Sequence, residues 1–352
     1  MFRFYIKNIE AVTQDFVDHL EASRDGNNEV DDLIEYIHNW ALESIGASFL
    51  NTRLGCFKPR LPEDEITIFI EAVQAFHGPD FYWITVGPPV WKLITTPAFR
   101  RWDESQVTMY DFTKKHVDRA IDKYLKEGVS DPKNMSVLEK LIEECGPDSQ
   151  IPIVLSQDSL IGGVDTTSTS ASFMLLDLAQ NPECQDKLHK EITDIIGDGP
   201  ITDSKIKQMR YLRACFQEAM RLHPPIIGFL RQTQVDMALE GYQIPKGTMV
   251  NLFTMNIAKD PQQFKDPDKF IPERWIRGDP DAHDAHPFAS LPFGHGPRMC
   301  LGRRFAELEN YILGIKMIQK FKLEYHYEPV GVQTDFVHKP DKKIKLRMIN
   351  RK

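Results

Sequence analysis

The sequence predicts a mainly α-helical protein with small β-sheets, an α+β class. Three observations carry that expectation. Apolar residues recur at three- and four-residue spacing in WALESIGASFL (40–50) and SQVTMYDFTKKHVDRAIDKYL (105–125), and again after Gly302. Alternating, turn-rich sequence is confined to 226–256 and to IKLRMI (344–349). No glycine-rich strand-to-helix turn supports a dinucleotide-binding fold.

The elements follow in order. MFRFYIKNIEAVTQDFVDHL (1–20) reads as an amphipathic helix already under way, unlike a signal or transit peptide. GPPVWKLITTPAF (87–99) punctuates the helices with proline. Residues 151–180 contain no proline after Pro152, and 203–222 form a helix stopped by Pro224 and Pro225. Residues 226–256 read as short strands. Residues 257–300, rich in Pro, Asp and His, read as a long irregular segment, a kind that is usually functional when ordered. The last helix carries an apolar stripe of Leu301, Phe305, Leu308, Ile312 and Ile315. IKLRMI reads as a closing strand.

A chain of 352 residues suits two ordinary domains or one large one. With 41% hydrophobic residues it can bury a sizeable core. A formal charge of −8 argues against a general nucleic-acid binder. Five cysteines, scattered and never in a C-x-x-C pair, exclude a disulfide scaffold and the usual zinc modules, and point to a reducing compartment. No run approaches the 18 or so apolar residues that cross a membrane.

Chemistry concentrates in three places. FGHGPRMCLG (293–302) brackets Cys300 with Gly294, Gly296 and Gly302. Glycine permits tight turns and close approach of backbone to a planar group. Cys300 just precedes a helix, whose N–H groups can stabilise a thiolate. Arg298 supplies a cation suited to a carboxylate. Haem iron ligated by cysteine fits this set. A structural cysteine at a helix start is the plain alternative. Zinc is another, through His283, His286 and His295, although their spacing matches no usual pattern. In GGVDTTSTSAS (162–172), six of the seven residues from 166 onward are Ser or Thr. A polar loop would explain this. So would a long helix with a weakened, locally bulged middle, where Asp165 and Thr166 set a carboxylate beside a hydroxyl for proton transfer. In EAMR (218–221), Glu218 and Arg221 at i,i+3 read by spacing as an ordinary surface ion pair.

The 293–302 segment matches F-x-x-G-x-R-x-C-x-G at Phe293, Gly296, Arg298, Cys300 and Gly302. That is the haem-binding loop of the cytochrome P-450 monooxygenases, and the resemblance runs through the whole chain. It implies one domain over 1–352 and haem b, with Cys300 as the iron ligand and Phe293 beside the haem. Arg298 and Arg231 become partners of the haem propionates. Residues 162–166 resemble the family's distal helix, (A/G)-G-x-(D/E)-T. This implies Gly162 and Gly163 over the haem face, and Asp165 and Thr166 in proton delivery to dioxygen, with Thr167 a weaker candidate. EAMR resembles the family's E-x-x-R, which with Arg274 of PERW (272–275) makes Glu218, Arg221 and Arg274 a structural lock on the irregular segment. Ile226 to Leu230 would line a pocket for a lipophilic substrate.

LGRRFAELE (301–309), RLGCF (53–57) and YLRACFQEAMRLHPP (211–225) are similar to the mitochondrial, ferredoxin-dependent branch, with an arthropod texture. The resemblance implies docking of an iron–sulfur ferredoxin on Arg213, Arg303 and Arg304, fed by NADPH–ferredoxin reductase. Gln217 stands where a second basic residue often occurs, which weakens that docking set. The implied location is the matrix side of the mitochondrial inner membrane, with peripheral membrane contact. Oxygen insertion from dioxygen is the implied activity; a haem-thiolate isomerase is the enzymatic alternative. The chain also resembles a family member that begins near the fourth helix. This implies missing first strands and a missing propionate-binding helix, hence a fragment, a truncated gene prediction, or a short form that is not catalytic by itself.

Overall fold

The computed structural model describes residues 2–351 apart from 60, 86, 129–134 and 283. Helices dominate, as the periodicity predicts. The first is α1 (Phe2–Ser23), then a two-residue strand β1 (Glu29–Val30) and α2 (Leu33–Phe49). The Asp32 carboxylate caps α2 by accepting from the Ile34 N–H. Helices α3 (Glu65–Phe76) and α4 (Pro79–Thr85) lead to α5 (Pro97–Glu127), α6 (Val137–Cys145) and α7 (Ile151–Gln180). Ser136 and Glu139 form a capping box on α6.

Helix α7 is the axis of the fold. It is α-helical through 162–172, so neither the polar loop nor the expected bulge is present. The hydroxyls that would compete with the helix instead bond their own helix: Thr166 Oγ1 donates to the Gly162 carbonyl at 2.6 Å, Ser168 to Asp165 at 3.0 Å and Ser170 to Thr167 at 3.0 Å. The two ends of α7 enter different apolar clusters. Ile153, Leu160 and Val164 pack with α3, α5, α6 and the end of α2. Ala171 to Ala179 pack with α1, most of α2 and the elements that follow α7. Asp165 sits at the seam between them.

After α7 come α8 (Pro182–Ile195), α9 (Asp203–Gln208) and α10 (Arg210–Leu222). The single helix expected over 203–222 is two helices, because Met209 adopts an extended ψ of 90° between them. The expected strands pair as β2 (Phe229–Gln232) with β5 (Met249–Leu252), and β3 (Met237–Leu239) with β4 (Tyr242–Ile244). Glu240 and Gly241 turn the second hairpin with φ of 48° and 82°. A short helix α11 (Thr254–Ala258) opens the irregular segment.

The last helix, α12 (Arg303–Lys320), buries Leu308, Ile312 and Ile315 as expected. Leu301 does not share that stripe: it precedes the helix and is 89% exposed. The remaining strands are β6 (Phe321–Glu324), β7 (Val332–Thr334), β8 (His338–Pro340) and β9 (Leu346–Asn350). Strand β9 lies between β1 and β6, and β7 pairs with β8. Among the described residues no helix is long and apolar enough to cross a membrane.

Candidate haem site

The cysteine loop is closed by its own backbone. The Cys300 N–H donates to the Phe293 carbonyl at 2.9 Å, and the Met299 N–H to that of Gly296 at 3.0 Å. Gly294 and Gly296 have φ of 70° and 79°, the left-handed region where a side chain is strained. Gly302 has an ordinary φ of −80°; its place at the cap of α12 lies beside the Cys300 sulfur instead. Cys300 is exposed, and the backbone N–H groups of Gly302 and Arg303 point at its sulfur. Partial burial of the sulfur pushes the thiol pKa up and outweighs those N–H groups and the Arg303 charge. The helix start alone therefore does not make the thiolate expected from the sequence. A coordinated metal would, since coordination deprotonates a thiol outright.

The surroundings fit a flat, apolar, doubly acidic ligand. Met299, Leu301, Leu230, Leu252 and Phe253 all turn large apolar side chains to solvent on this part of the molecule. Arg298 is exposed and makes no ion pair or hydrogen bond among the described residues. Arg231, also exposed, lies over the Phe229 ring at 5.2 Å and among the described residues donates only to the Leu230 carbonyl, with no acidic partner there. Both guanidiniums suit carboxylates. Phe293 packs 6.4 Å from Phe216 and carries Arg303 over its ring at 5.6 Å. Of the zinc alternative, His286 and His295 join no metal-binding group among the described residues, and His283 lies outside them.

The distal-helix residues separate. Gly162 is exposed, with open space where a Cβ would be. Thr166, one turn on, shares that face. Gly163 is more enclosed: a Cβ there would come within 2.5 Å of Ile45 Cδ1, the tip of a side chain on α2. Thr167 is buried. Asp165 is buried as well, and two histidines that the sequence reading missed occupy its carboxylate. His38 Nε2 of α2 lies 3.2 Å from Oδ1, and His77 Nδ1, just past α3, lies 2.9 Å from Oδ2. Burial would raise the Asp165 pKa; the hydrogen bonds and charges of the two histidines outweigh it and hold the carboxyl well below the usual range. No local signal marks His38 or His77, which stand 127 and 88 residues away in sequence.

Glu218, Arg221 and Arg274 meet, but not at the surface. All three are buried, correcting the exposed pair that spacing implies. Arg221 is bidentate on Glu218 at 2.9 and 2.8 Å, and Arg274 Nε donates to the same carboxylate at 3.1 Å. The Ile271 N–H and Trp275 Nε1–H complete it at 3.1 and 2.9 Å. The spare guanidinium hydrogens bond the carbonyls of Ala258, Asp266, Pro267 and Lys269. One buried charge cluster thus ties α10 to the irregular segment between α11 and Trp275.

The match with known proteins decides the family: residues 2–348 fit the description "Cytochrome P450". The chain belongs to the cytochrome P450 family. Cytochromes P450 are haem-thiolate enzymes, and Cys300 and its surroundings accommodate that cofactor. The chain is 34% identical over 340 residues to probable cytochrome P450 49a1 of Drosophila melanogaster, covering 92% of this chain and 56% of that protein. It is 34% identical over 344 residues to probable cytochrome P450 12a5, mitochondrial, of the same organism, covering 92% and 63%. Cytochrome P450 CYP12A2 of Musca domestica is 34% identical over 342 residues, again covering 92% and 63%. The chain thus spans less than two thirds of the length of these relatives. The crystal structure of the cytochrome P450DA haem domain superposes with a TM-score of 0.80 at 23% identity, covering 100% of this chain and 74% of that one, which establishes the fold.

Proposed function

We propose that this cytochrome P450 is a monooxygenase that inserts one oxygen atom of dioxygen into an apolar organic substrate, by C–H hydroxylation. The observation that carries the reading is Cys300, an exposed thiol with two backbone N–H groups aimed at its sulfur and, two residues earlier, Arg298, which has no partner among the described residues. Haem bound through this thiolate supplies dioxygen activation, the thiolate favouring O–O cleavage. The chain's own residues do the rest. Arg298 and Arg231 pair with the propionates and orient the ring. Gly162, with open space beside it, would leave room for the ring, and Thr166 would present a hydroxyl on the same face of α7. Asp165, one residue earlier, holds the charge from which protons are managed. Ile226 to Leu230 form the apolar approach for substrate. The Glu218 cluster keeps the cysteine loop's supporting segment in place.

Electrons are proposed to come from NADPH through a ferredoxin reductase and an iron–sulfur ferredoxin, in the mitochondrial matrix at the inner membrane. Relatives named as mitochondrial support that placement. Exposed Val90, Leu93 and Ile94, with Lys92 among them, suit peripheral contact with an anionic membrane surface. The full-length protein should show a strongly red-shifted Soret band when reduced under carbon monoxide, and should turn over lipophilic substrate with ferredoxin, its reductase and NADPH. A thiolate spectrum without any oxygenated product across a lipophilic panel would contradict the activity.

A further inference from the structure

Helix α12 begins where the backbone N–H groups of Gly302 and Arg303 point at the Cys300 sulfur. Glu309 of this helix is buried. At 1.5 Å of rise per residue, its backbone lies about 10 Å along the axis from the helix start. Ser44 Oγ of α2 donates to Glu309 Oε1 at 2.7 Å. Ser48, one turn further on α2, keeps a buried hydroxyl without a partner among the described residues. Hydroxyls, not cations, are what α2 offers an ionised Glu309.

Neighbouring charges are engaged elsewhere. On α1, Glu10 pairs with Lys316, Lys7 is exposed, and burial pushes the Tyr5 phenol pKa up, so it stays neutral. On α2, Glu43 is bound to Arg53, and His38 lies against Asp165 of α7. Asp165 also meets His77, and Asp177 of α7 lies beside His223. On α10, Arg213 donates to backbone carbonyls and Arg221 to Glu218. Lys187 of α8 and Lys322 of β6 pair with Glu273 and Glu324. On α12 itself, Arg303 pairs with Glu307, and Arg304 is exposed. Burial pushes the Glu309 pKa up to about 7, and the Ser44 hydroxyl acts the other way. An ionised Glu309 is therefore a charge that nothing beside it cancels, and its field extends to the start of its own helix.

We propose that Glu309 sets how readily the Cys300 site takes up an electron, through the charge it carries and without touching the site. Neutral, it leaves the positive end of α12 to support the thiolate. Ionised, it places a negative charge behind that end and opposes an incoming electron. The exchange balances: one electron from the ferredoxin enters the haem site, and one proton from solvent converts the Glu309 carboxylate to the acid. By linkage each event favours the other. Electron uptake thus becomes harder as pH climbs through neutrality. At a separation of about 12 Å and an effective dielectric constant of about 20, proton affinity should differ roughly tenfold between the oxidised and reduced protein. The switch rests on haem ligation by Cys300 and not on the identity of the substrate.

The test uses the full-length haem protein, titrated electrochemically between about pH 5.5 and 9. Its midpoint potential should fall as pH rises across neutrality and level beyond. Glu309→Gln should keep the red-shifted carbon monoxide band, hold the potential of the acid limb throughout and lose that fall. Ser44→Ala removes a hydroxyl that favours the charged form, so it should carry the fall to higher pH. Reduced-minus-oxidised infrared spectra of the unaltered protein, taken just above neutral pH, should gain a carboxylic acid band that Glu309→Gln lacks. The original pH dependence in Glu309→Gln, or no such band in the unaltered protein, would overturn the proposal. If Glu309→Gln fails to hold haem, an unmoved profile in Ser44→Ala overturns it instead. A thiolate band with a potential indifferent to both substitutions contradicts the switch alone, whereas absence of that band contradicts the ligation beneath it.

Discussion

Thr166 donates its hydroxyl to the Gly162 carbonyl one turn back, with Gly162 exposed on the same face of α7. A threonine hydroxyl in that position can rotate from its own helix to a ligand at small cost, exchanging one acceptor for another. Thr166→Ala removes that choice without disturbing the buried side of α7. The variant should bind haem normally and divert reducing equivalents from product to peroxide, because protons then reach dioxygen out of order. Product per NADPH is the measurement, and unchanged coupling would remove Thr166 from proton delivery. Asp165 and Thr166 were legible in the sequence as a pair because they are adjacent. Their opposite environments were not, since what buries Asp165 comes from α2 and the end of α3. The same reason hid the division of Gly162 from Gly163: only the packing of Ile45 distinguishes them.

Two buried carboxylates on neighbouring elements make opposite predictions. Glu218 of α10 holds two guanidiniums in a fully desolvated cluster. Glu218→Gln would leave Arg221 and Arg274 buried with insufficient counter-charge, which costs about 3–5 kcal/mol for a broken buried pair. Thermal unfolding and haem retention should both fall; a variant as stable as the parent would contradict the lock. Glu309 of α12 has Ser44 Oγ at 2.7 Å, and burial raises its pKa to about 7, only partly offset by that hydroxyl. The folded state therefore holds a proton that the unfolded chain has lost above its ordinary carboxylate pKa. Stability should fall as pH rises from there to about 7 and then level, a penalty on the order of 3 kcal/mol. Glu309→Gln should flatten the profile and raise the thermal midpoint at pH 8, with little change at pH 4; an unaltered pH profile would show that Glu309 is not the group responsible. At this scale the sequence announced the helices through spacing, yet read Arg221 as exposed. Spacing reports which residues share a face, and the irregular segment that covers Arg221 has no periodicity to report. The break at Met209 was hidden for a related reason, because it is a backbone turn without Gly or Pro.

At the scale of the molecule, the proposed ferredoxin surface is unequal in its three arginines. Arg303 is paired with Glu307 at 2.8 Å, and Arg213 donates to the carbonyls of Lys207 and Met209. Arg304 is exposed with no partner among the described residues. Reversing Arg304 should therefore weaken ferredoxin-supported turnover most, with a loss that shrinks at high ionic strength, while peroxide-driven turnover survives. Equal loss in both assays would mean a role in folding. The overall fold was legible because helix periodicity, a few turn signals and ten residues around Cys300 agree with one another. The thiolate environment was legible only in part: the helix start is there, but the desolvation that opposes it depends on how the loop is covered. Ligation of haem iron by Cys300 underlies the proposed chemistry. It is tested most directly by the absorption of the reduced, carbon monoxide-treated full-length protein beside its Cys300→His variant. The first should show the strongly red-shifted Soret band of a thiolate ligand, and the second should lose it with haem still bound. The same red-shifted band in both would contradict it.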